Sequence, residues 1–239
     1  MAVTSRYGPA SVGGTGETMP SATQRRTNRE RRGESQEKIL DAAEALFAAR
    51  TFHGVSIKDI AGAAEVDASL LHYYFGSKAG LYAAVIGRRA DEVNAARLAS
   101  MQQYADAERG RYTVEGVLRA YLDPTFEFAR TCIEGRLNYL TLIAQLNSTP
   151  AGLIPDAETT PFDPVIQVFI AMLREASPSS SDEDLYWFYH MLSGAITVSW
   201  ARTGRIDRLS GGLCRSDDFE GIAPQMIALF AEGLSRRRG

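Results

Sequence analysis

The residues of this chain best suited to act together lie in DASLLHYYFGSKAGL, residues 67–81. His72, Tyr73 and Tyr74 are consecutive, and Lys78 follows four positions later. In a protein core the imidazole and both phenol hydroxyls would each need a hydrogen-bond partner. A polar partner outside the chain meets that need as well. Tyrosine hydroxyls donate to phosphate oxygens, aromatic rims touch thymine methyl groups, and a lysine reaches the nucleic-acid backbone. Ordinary helix–helix packing is the other use of such tyrosines, and it is the reading adopted for Phe75.

Other chemistries lack their parts. His53, His72 and His190 are the three histidines, and none has metal-ligand spacing with another histidine or a cysteine. Ser35 and Lys38 match Ser-x-x-Lys in form, but on the solvent side of a helix and without companion motifs. There is no glycine-rich phosphate loop and no nucleophile elbow. The expectation is a non-enzyme with no catalytic residue, no metal and no cofactor. Cys132 and Cys214 are isolated thiols in helix-like contexts, as in a reduced cytoplasmic protein rather than a disulfide scaffold. No run approaches the ~18 apolar residues of a membrane span. The N-terminus carries no apolar signal-peptide core, so a cytoplasmic location and no membrane partner are expected.

Charge locates the anionic partner. The chain has 239 residues, 45% hydrophobic, which is enough for one large domain or two modest ones. Its net charge of -3 argues against nucleic acid for the chain as a whole. Residues 20–90, however, hold eleven Lys/Arg against eight Asp/Glu, and residues 91–239 hold fourteen against twenty. The basic third is the part suited to an anion.

The elements that must position these residues are helical. Residues 1–24 are rich in Gly, Ser, Thr and Pro without apolar period, and read as disordered. Arg25, Arg26, Arg29, Arg31 and Arg32 follow. They suit either a solvated tail or a basic arm that adds phosphate or minor-groove contacts. Ile39, Ala43, Leu46, Phe47 and Arg50 keep the i, i+3, i+4 spacing of an amphipathic helix over 34–50. Ser56 with Asp59 forms a capping-box signature for a short second helix that buries Ile57, Ile60 and Ala61. A tight turn at 64–66 leads to Asp67, the cap of a third helix anchored by Leu70 and Leu71. Ser77 caps a fourth helix of some 25 to 30 residues. The remaining segments, 113–132 (with Pro124 expected to kink or split it), 136–146, 165–176, 185–202 and 219–234, are helical by period, with loops between them. Ser181 and Asp184 make a second capping box. No strand-period alternation and no repeat appears, so the fold class is all-α. The expected division is an arm over 1–32, a DNA-binding domain over 33–80, and a larger domain over 81–239.

Three short helices with a tight turn between the second and third describe a helix-turn-helix, whose last helix enters the DNA major groove. VSIKDIAGAAEVDASLLHYYFGSKAGLYAAVI also resembles the signature of the tetracycline-repressor (TetR) family of bacterial regulators. The likeness covers about residues 35–86: Ser-Ile-x-x-Ile-Ala, Ala-x-Val, then Leu-x-x-x-Phe-x-Ser-Lys-x-x-Leu, in order and at the right distances. It implies an all-helical homodimer with an N-terminal domain on a palindromic DNA operator. It also implies a C-terminal domain that dimerises through its last two long helices and holds an inducer cavity. The family's DNA contacts would fall on Ser56, Lys58, Ala68, Ser69, His72, Tyr73, Tyr74 and Lys78. The function implied is a ligand-responsive transcriptional regulator, taken here as a repressor, with an activator or ligand-independent regulator as the alternative.

The sequence departs from the family pattern at three points. Thr51 stands where a glycine usually ends the first helix, and a left-handed cap there would strain a β-branched residue, so a different helix end is expected. His72 replaces a common tyrosine. Asp67 brings negative charge close to phosphates. In the C-terminal region, helix 185–202 is apolar nearly all round and is expected in the dimer interface, with Ser193, Gly194 and Ala195 allowing close approach. Tyr121, Phe126, Asn138, Tyr139, Phe169, Trp187 and His190 are the candidates for an effector cavity, with Phe128, Tyr189, Trp200, Gln145 and Arg136 as further possibilities. Each aromatic taken singly suits plain core equally well. Together they suit a small apolar or aromatic effector.

Overall fold

A computed structural model describes residues 22–131, 134–150, 152–154 and 161–236; the side chains of 22–29, 134–136 and 236 lie outside the description. Ten helices and no strand occur among the described residues: α1 Ala22–Arg50, α2 Ile57–Ala64, α3 Ala68–Phe75, α4 Lys78–Glu108, α5 Val114–Arg130, α6 Glu134–Ser148, α7 Asp163–Ala176, α8 Asp182–Ala201, α9 Arg205–Leu209 and α10 Phe219–Arg236. None is long and apolar enough to cross a membrane. By internal contacts the chain divides into Met1–Ser35 and Gln36–Gly239. The boundary expected at residue 80 falls inside α4, and the residues on both sides of it belong to the second unit.

Within that second unit the buried stripe of α1, Ile39, Ala43 and Phe47, meets Ile60 of α2, Leu71 of α3 and Leu81 and Val85 of α4 in one core. An aromatic cluster closes it. Tyr82 stands edge-on to Phe47 at 5.1 Å and to Phe52 at 5.3 Å. Farther along, α4 lies against α5, α5 against α10 and α7, and α6 against α8.

Several helix ends follow from local chemistry. Ser56 and Asp59 form the expected capping box, and Ser181 and Asp184 the second. Asp67 accepts from the Ser69 amide at 2.8 Å, and the Ser77 hydroxyl accepts from the Gly80 amide at 3.0 Å. Glu65, at φ 55°, makes the tight turn between α2 and α3. Gly54 is required by space: a Cβ there would collide with the Arg50 carbonyl oxygen.

The structure corrects several expectations. Helix α1 begins at Ala22, so the stretch expected as disordered to residue 24 and as an arm over 25–32 is helical from 22 onward. Gln, Arg and Glu are good helix formers, no proline lies between Pro20 and Arg50, and an already nucleated helix extends cheaply across Gly33. Arg31 and Arg32 are exposed; the side chains of Arg25, Arg26 and Arg29, and residues 1–21, lie outside the description. Pro124 does not split α5, which runs through it. A short helix, α9, occupies part of the loop expected at 203–218. Cys132 lies outside the described residues, and Cys214 is an exposed free thiol.

Thr51 does adopt the left-handed conformation, at φ 61°, and its amide donates to the Phe47 carbonyl at 2.9 Å to close the last turn. That turn is kept because Phe47 and Phe52 on either side are both buried. Left-handed backbone costs a residue with a Cβ roughly 1–2 kcal/mol, and glycine's added freedom in the unfolded chain returns roughly 0.5–1 kcal/mol of that. Thr51→Gly is therefore expected to raise the free energy of unfolding by about 0.5–1 kcal/mol, measured by urea denaturation. A drop in stability would contradict the strain assigned here.

Candidate nucleic-acid interface

Helix α3 has one committed side. Leu71 is 1% exposed and Leu70, Tyr74 and Phe75 are half-buried against the core. Burying a leucine of this kind contributes roughly 1.5–3 kcal/mol, which fixes the rotation of the helix. The opposite side is then set by period: Ser69, His72 and Tyr73 are exposed at i, i+3 and i+4, with Tyr73 68% exposed. Tyr73 and Tyr74 pack edge-on at 5.3 Å, and Tyr74 continues to Phe75 at 6.1 Å. The row of rings holds Tyr73 outward from a partly buried base. His72 Nδ1 lies 3.2 Å from the Gly76 carbonyl oxygen. An Nδ1–H that donates there leaves Nε2 as an outward acceptor.

The flanking residues differ in what they can offer. Lys58 is exposed on α2. The Ser56 hydroxyl is engaged at 2.7 Å with an Asp59 carboxylate oxygen, which also accepts the Ser56 amide at 2.8 Å. These bonds hold the Asp59 carboxyl below its ordinary value, so it stays ionised at the N-terminus of α2. Asp67 is lowered in the same way by the Ser69 side chain and then the Ser69 amide. Ser56 is thus a cap first, with the ionised Asp59 beside it at the start of α2 and Asp67 at the start of α3.

Lys78 is the clearest departure. It was expected on a phosphate, but its ammonium donates to the carbonyls of Phe52 and Val55, each at 3.0 Å, and lies 4.4 Å from the Phe52 ring centre. Two of its three donors thus tie the α1–α2 connection to the start of α4. Ala68 is half-buried at the first position of α3. Of the eight residues named for DNA, the exposed ones are Ser56, Lys58, Ser69, His72 and Tyr73.

Away from α3, a cavity of about 390 Å³ opens between α4, α5, α6, α7 and α8. Tyr121 lines it, as do Tyr189, Trp200 and, on α4, Arg97. Of the other residues expected there, Phe169 stacks on Tyr121 at 4.2 Å and Phe126 packs toward Phe219 at 6.4 Å; both are core. Tyr139 is buried, with its hydroxyl donating to the Ile86 carbonyl at 3.3 Å. Burial pushes that hydroxyl far above the ordinary tyrosine range. Asn138 is half-buried on α6 and outside the lining set. Trp187 and His190 are exposed, on the far side of α8. Phe128 is core, Gln145 donates to the Ala48 carbonyl at 2.9 Å, and the side chain of Arg136 lies outside the description. Aromatic type alone did not separate wall from core. A better signal was present: Ala90, Val93, Arg97 and Met101 form one buried stripe on α4, with an arginine inside it.

Known proteins match in two places. A family model for bacterial regulatory proteins of the tetR family covers residues 39–85, and a model for the tetracyclin repressor-like C-terminal domain covers residues 119–233. The HTH-type transcriptional activator FasR of Mycolicibacterium smegmatis is 36% identical over 101 residues, which are 42% of this chain and 46% of that protein. The match thus spans less than half of that relative's length. A solved fatty acid degradation regulator FadR from Bacillus halodurans superposes with a TM-score of 0.59 at 15% identity, covering 84% of this chain and 96% of that one. A TetR-like transcriptional regulator from Rhodococcus sp. RHA1 gives 0.57 at 21% identity, covering 84% and 96%. At those identities the solved structures speak for the fold alone.

Tyr73 and Lys78 give opposite expectations on substitution. Tyr73→Ala removes an outward ring and should leave the melting temperature unchanged while weakening specific DNA binding at least tenfold. Lys78→Met leaves two carbonyls without their donor, which costs roughly 1–3 kcal/mol. It should lower the melting temperature by several degrees. Calorimetry with anisotropy titration on both variants checks this; an unchanged melt in Lys78→Met would return that lysine to the solvent-facing set.

Proposed function

The chain belongs to the tetracycline-repressor family of bacterial transcriptional regulators, and we propose that it is a homodimer that holds a palindromic operator with α3 and releases it when a small apolar or aromatic effector fills the cavity. The observation that carries this reading is the exposed row Ser69, His72 and Tyr73 on a helix whose other side is fixed by Leu71. A row of this kind suits base edges and phosphates, and the basic excess of residues 20–90 suits the DNA backbone. In this reading the protein acts in the cytoplasm and performs no catalysis.

Dimerisation has its own support. Trp187, Met191 and Val198 on α8 and Leu229 on α10 are exposed apolar side chains, from 50% to 69% open. A Cβ at Gly194, on the same stripe, would meet nothing within 4 Å. Such a run of apolar surface on two helices suits burial against a second copy. Ser193, expected with Gly194 at that contact, lines the cavity instead.

Coupling between the sites follows from shared helices. Helix α4 carries Lys78 at one end and Arg97 beside the cavity. Helix α6 contributes Ile143 to the cavity wall and bonds to the carbonyls of Ala48 in α1 and Ile86 in α4. An effector shifts DNA affinity only to the extent that it prefers one arrangement of these helices.

Activation is the second reading, favoured by the relative FasR, which is named an activator. The same DNA-binding face serves both, and the position of the operator relative to the promoter decides between them. Anisotropy titration of the full chain on the DNA flanking its own gene, over a salt series, tests the proposal. Saturable binding at least a hundredfold tighter than to unrelated DNA is expected. Deleting residues 1–32 should flatten the salt dependence, since fewer counterions are released. Equal affinity for genome-derived operator candidates and random DNA would overturn the assignment.

A further inference from the structure

Arg97 is 3% exposed, and among the described residues no carboxylate forms an ion pair with it. Among the described residues its one hydrogen bond is from Nε to the Thr125 hydroxyl, at 2.7 Å. Thr125 is itself buried and donates to the Tyr121 carbonyl at 3.1 Å. The Tyr121 ring lies under the guanidinium at 4.5 Å, and the Phe162 ring centre is 6.0 Å away. Threonine and tyrosine therefore set the plane of the group. Nη1 and Nη2 make no hydrogen bond to a described residue, and the side chain lines the 390 Å³ cavity.

A buried cation that no described carboxylate pairs is costly, and the guanidinium cannot shed its proton to escape that cost. The contrast lies on the same helix. Arg88 is paired with Glu37, Asp41 and Glu44, and Arg89 with Glu44. Trp200 also lines the cavity, while its Nε1 is sealed off and has no partner among the described residues. Around the arginine the wall carries Tyr121, Phe162 and four isoleucines, while Asn147, Asp163, Gln167 and Ser193 are its polar members. Burial keeps the Tyr189 hydroxyl protonated, and Asp163 is exposed.

We propose that the cavity takes an apolar monocarboxylate whose carboxylate is held by the two terminal nitrogens of Arg97. The geometry is the fork that guanidinium offers to a planar two-oxygen anion. The apolar body then lies on the aromatic and isoleucine walls. At about 390 Å³ the site is near the lower end of the roughly 300–1,000 Å³ of small-molecule pockets. That fits a bicyclic aromatic acid or a medium-chain aliphatic acid. This inference rests on the effector-responsive reading above and gives the effector its charge.

The test is calorimetric titration of the full chain with four probes: 2-naphthoate, octanoate, and their neutral amides of the same shape. The wild type should bind at least one acid tenfold or more tighter than its amide. The two arms decide between an aromatic and an aliphatic body. Arg97→Met should remove the preference, leaving acid and amide within about threefold. Arg97→Lys, which keeps the charge, should retain a reduced preference. Equal binding of acid and amide by the wild type overturns the proposal, and so does failure of both acids to bind. An acid preference that survives in a folded Arg97→Met also overturns it. Operator binding measured on the same preparations separates the two claims. Intact DNA binding with no acid preference removes the anion site alone, whereas absence of specific DNA binding removes the regulator reading.

Discussion

Glu44 is a carboxylate at 2% exposure, and α4 answers it with two guanidinium groups. Arg88 Nη2 reaches it at 2.6 Å and Arg89 Nε at 3.1 Å, while Arg88 Nη1 bonds Asp41 at 2.7 Å. Removing one partner of a buried pair costs roughly 3–5 kcal/mol, so the crossing of α1 and α4 has one permitted register. The helix-turn-helix depends on that crossing. Helices α2 and α3 are each eight residues long, too short to hold together unaided, and they take their places from the core that α1 and α4 enclose. The exposure of Tyr73 and His72 is a consequence of this frame.

The same helix treats its arginines in opposite ways. Arg88 and Arg89 meet carboxylates from the neighbouring helix. Two turns farther on, Arg97 meets a hydroxyl, two rings and a cavity. A stabilising role accounts for the first pair. For Arg97 it accounts for the placement of Nε and not for the two terminal nitrogens. That asymmetry is the physical basis for proposing a charged occupant of the cavity, and Lys78 and Arg97 lie on one continuous helix, Lys78–Glu108.

Local rules with strict spacing were legible in the sequence. Both capping boxes, the Asp67 and Ser77 caps, the buried Ile39, Ala43 and Phe47, and the turn at Glu65 follow from residue type and period. Partners brought together by tertiary packing were not legible. Lys78 and Phe52 are 26 positions apart, and Glu44 and Arg88 are 44 apart. Nothing local marks either pair. Cavity walls failed for another reason: Tyr121 lines the cavity while Phe126 and Tyr139, equally apolar in sequence, fill the core. The charged residues carried the missing information. Glu44 stands in an otherwise buried run with Leu40, Ala43 and Phe47, and Arg97 follows Ala90 and Val93 on a buried face. A charge on an apolar face announces either a partner or a ligand.

The claim on which the account turns is that the open side of α3 is the surface that meets DNA. Hydrogen–deuterium exchange of the full chain, with and without a specific duplex, addresses it residue by residue. The account predicts slowed exchange at the start of α2, over residues 68–76 and in the basic segment 25–32, with the cavity walls in α7 and α8 unchanged. Protection of another surface with α3 left as in the free protein would contradict it.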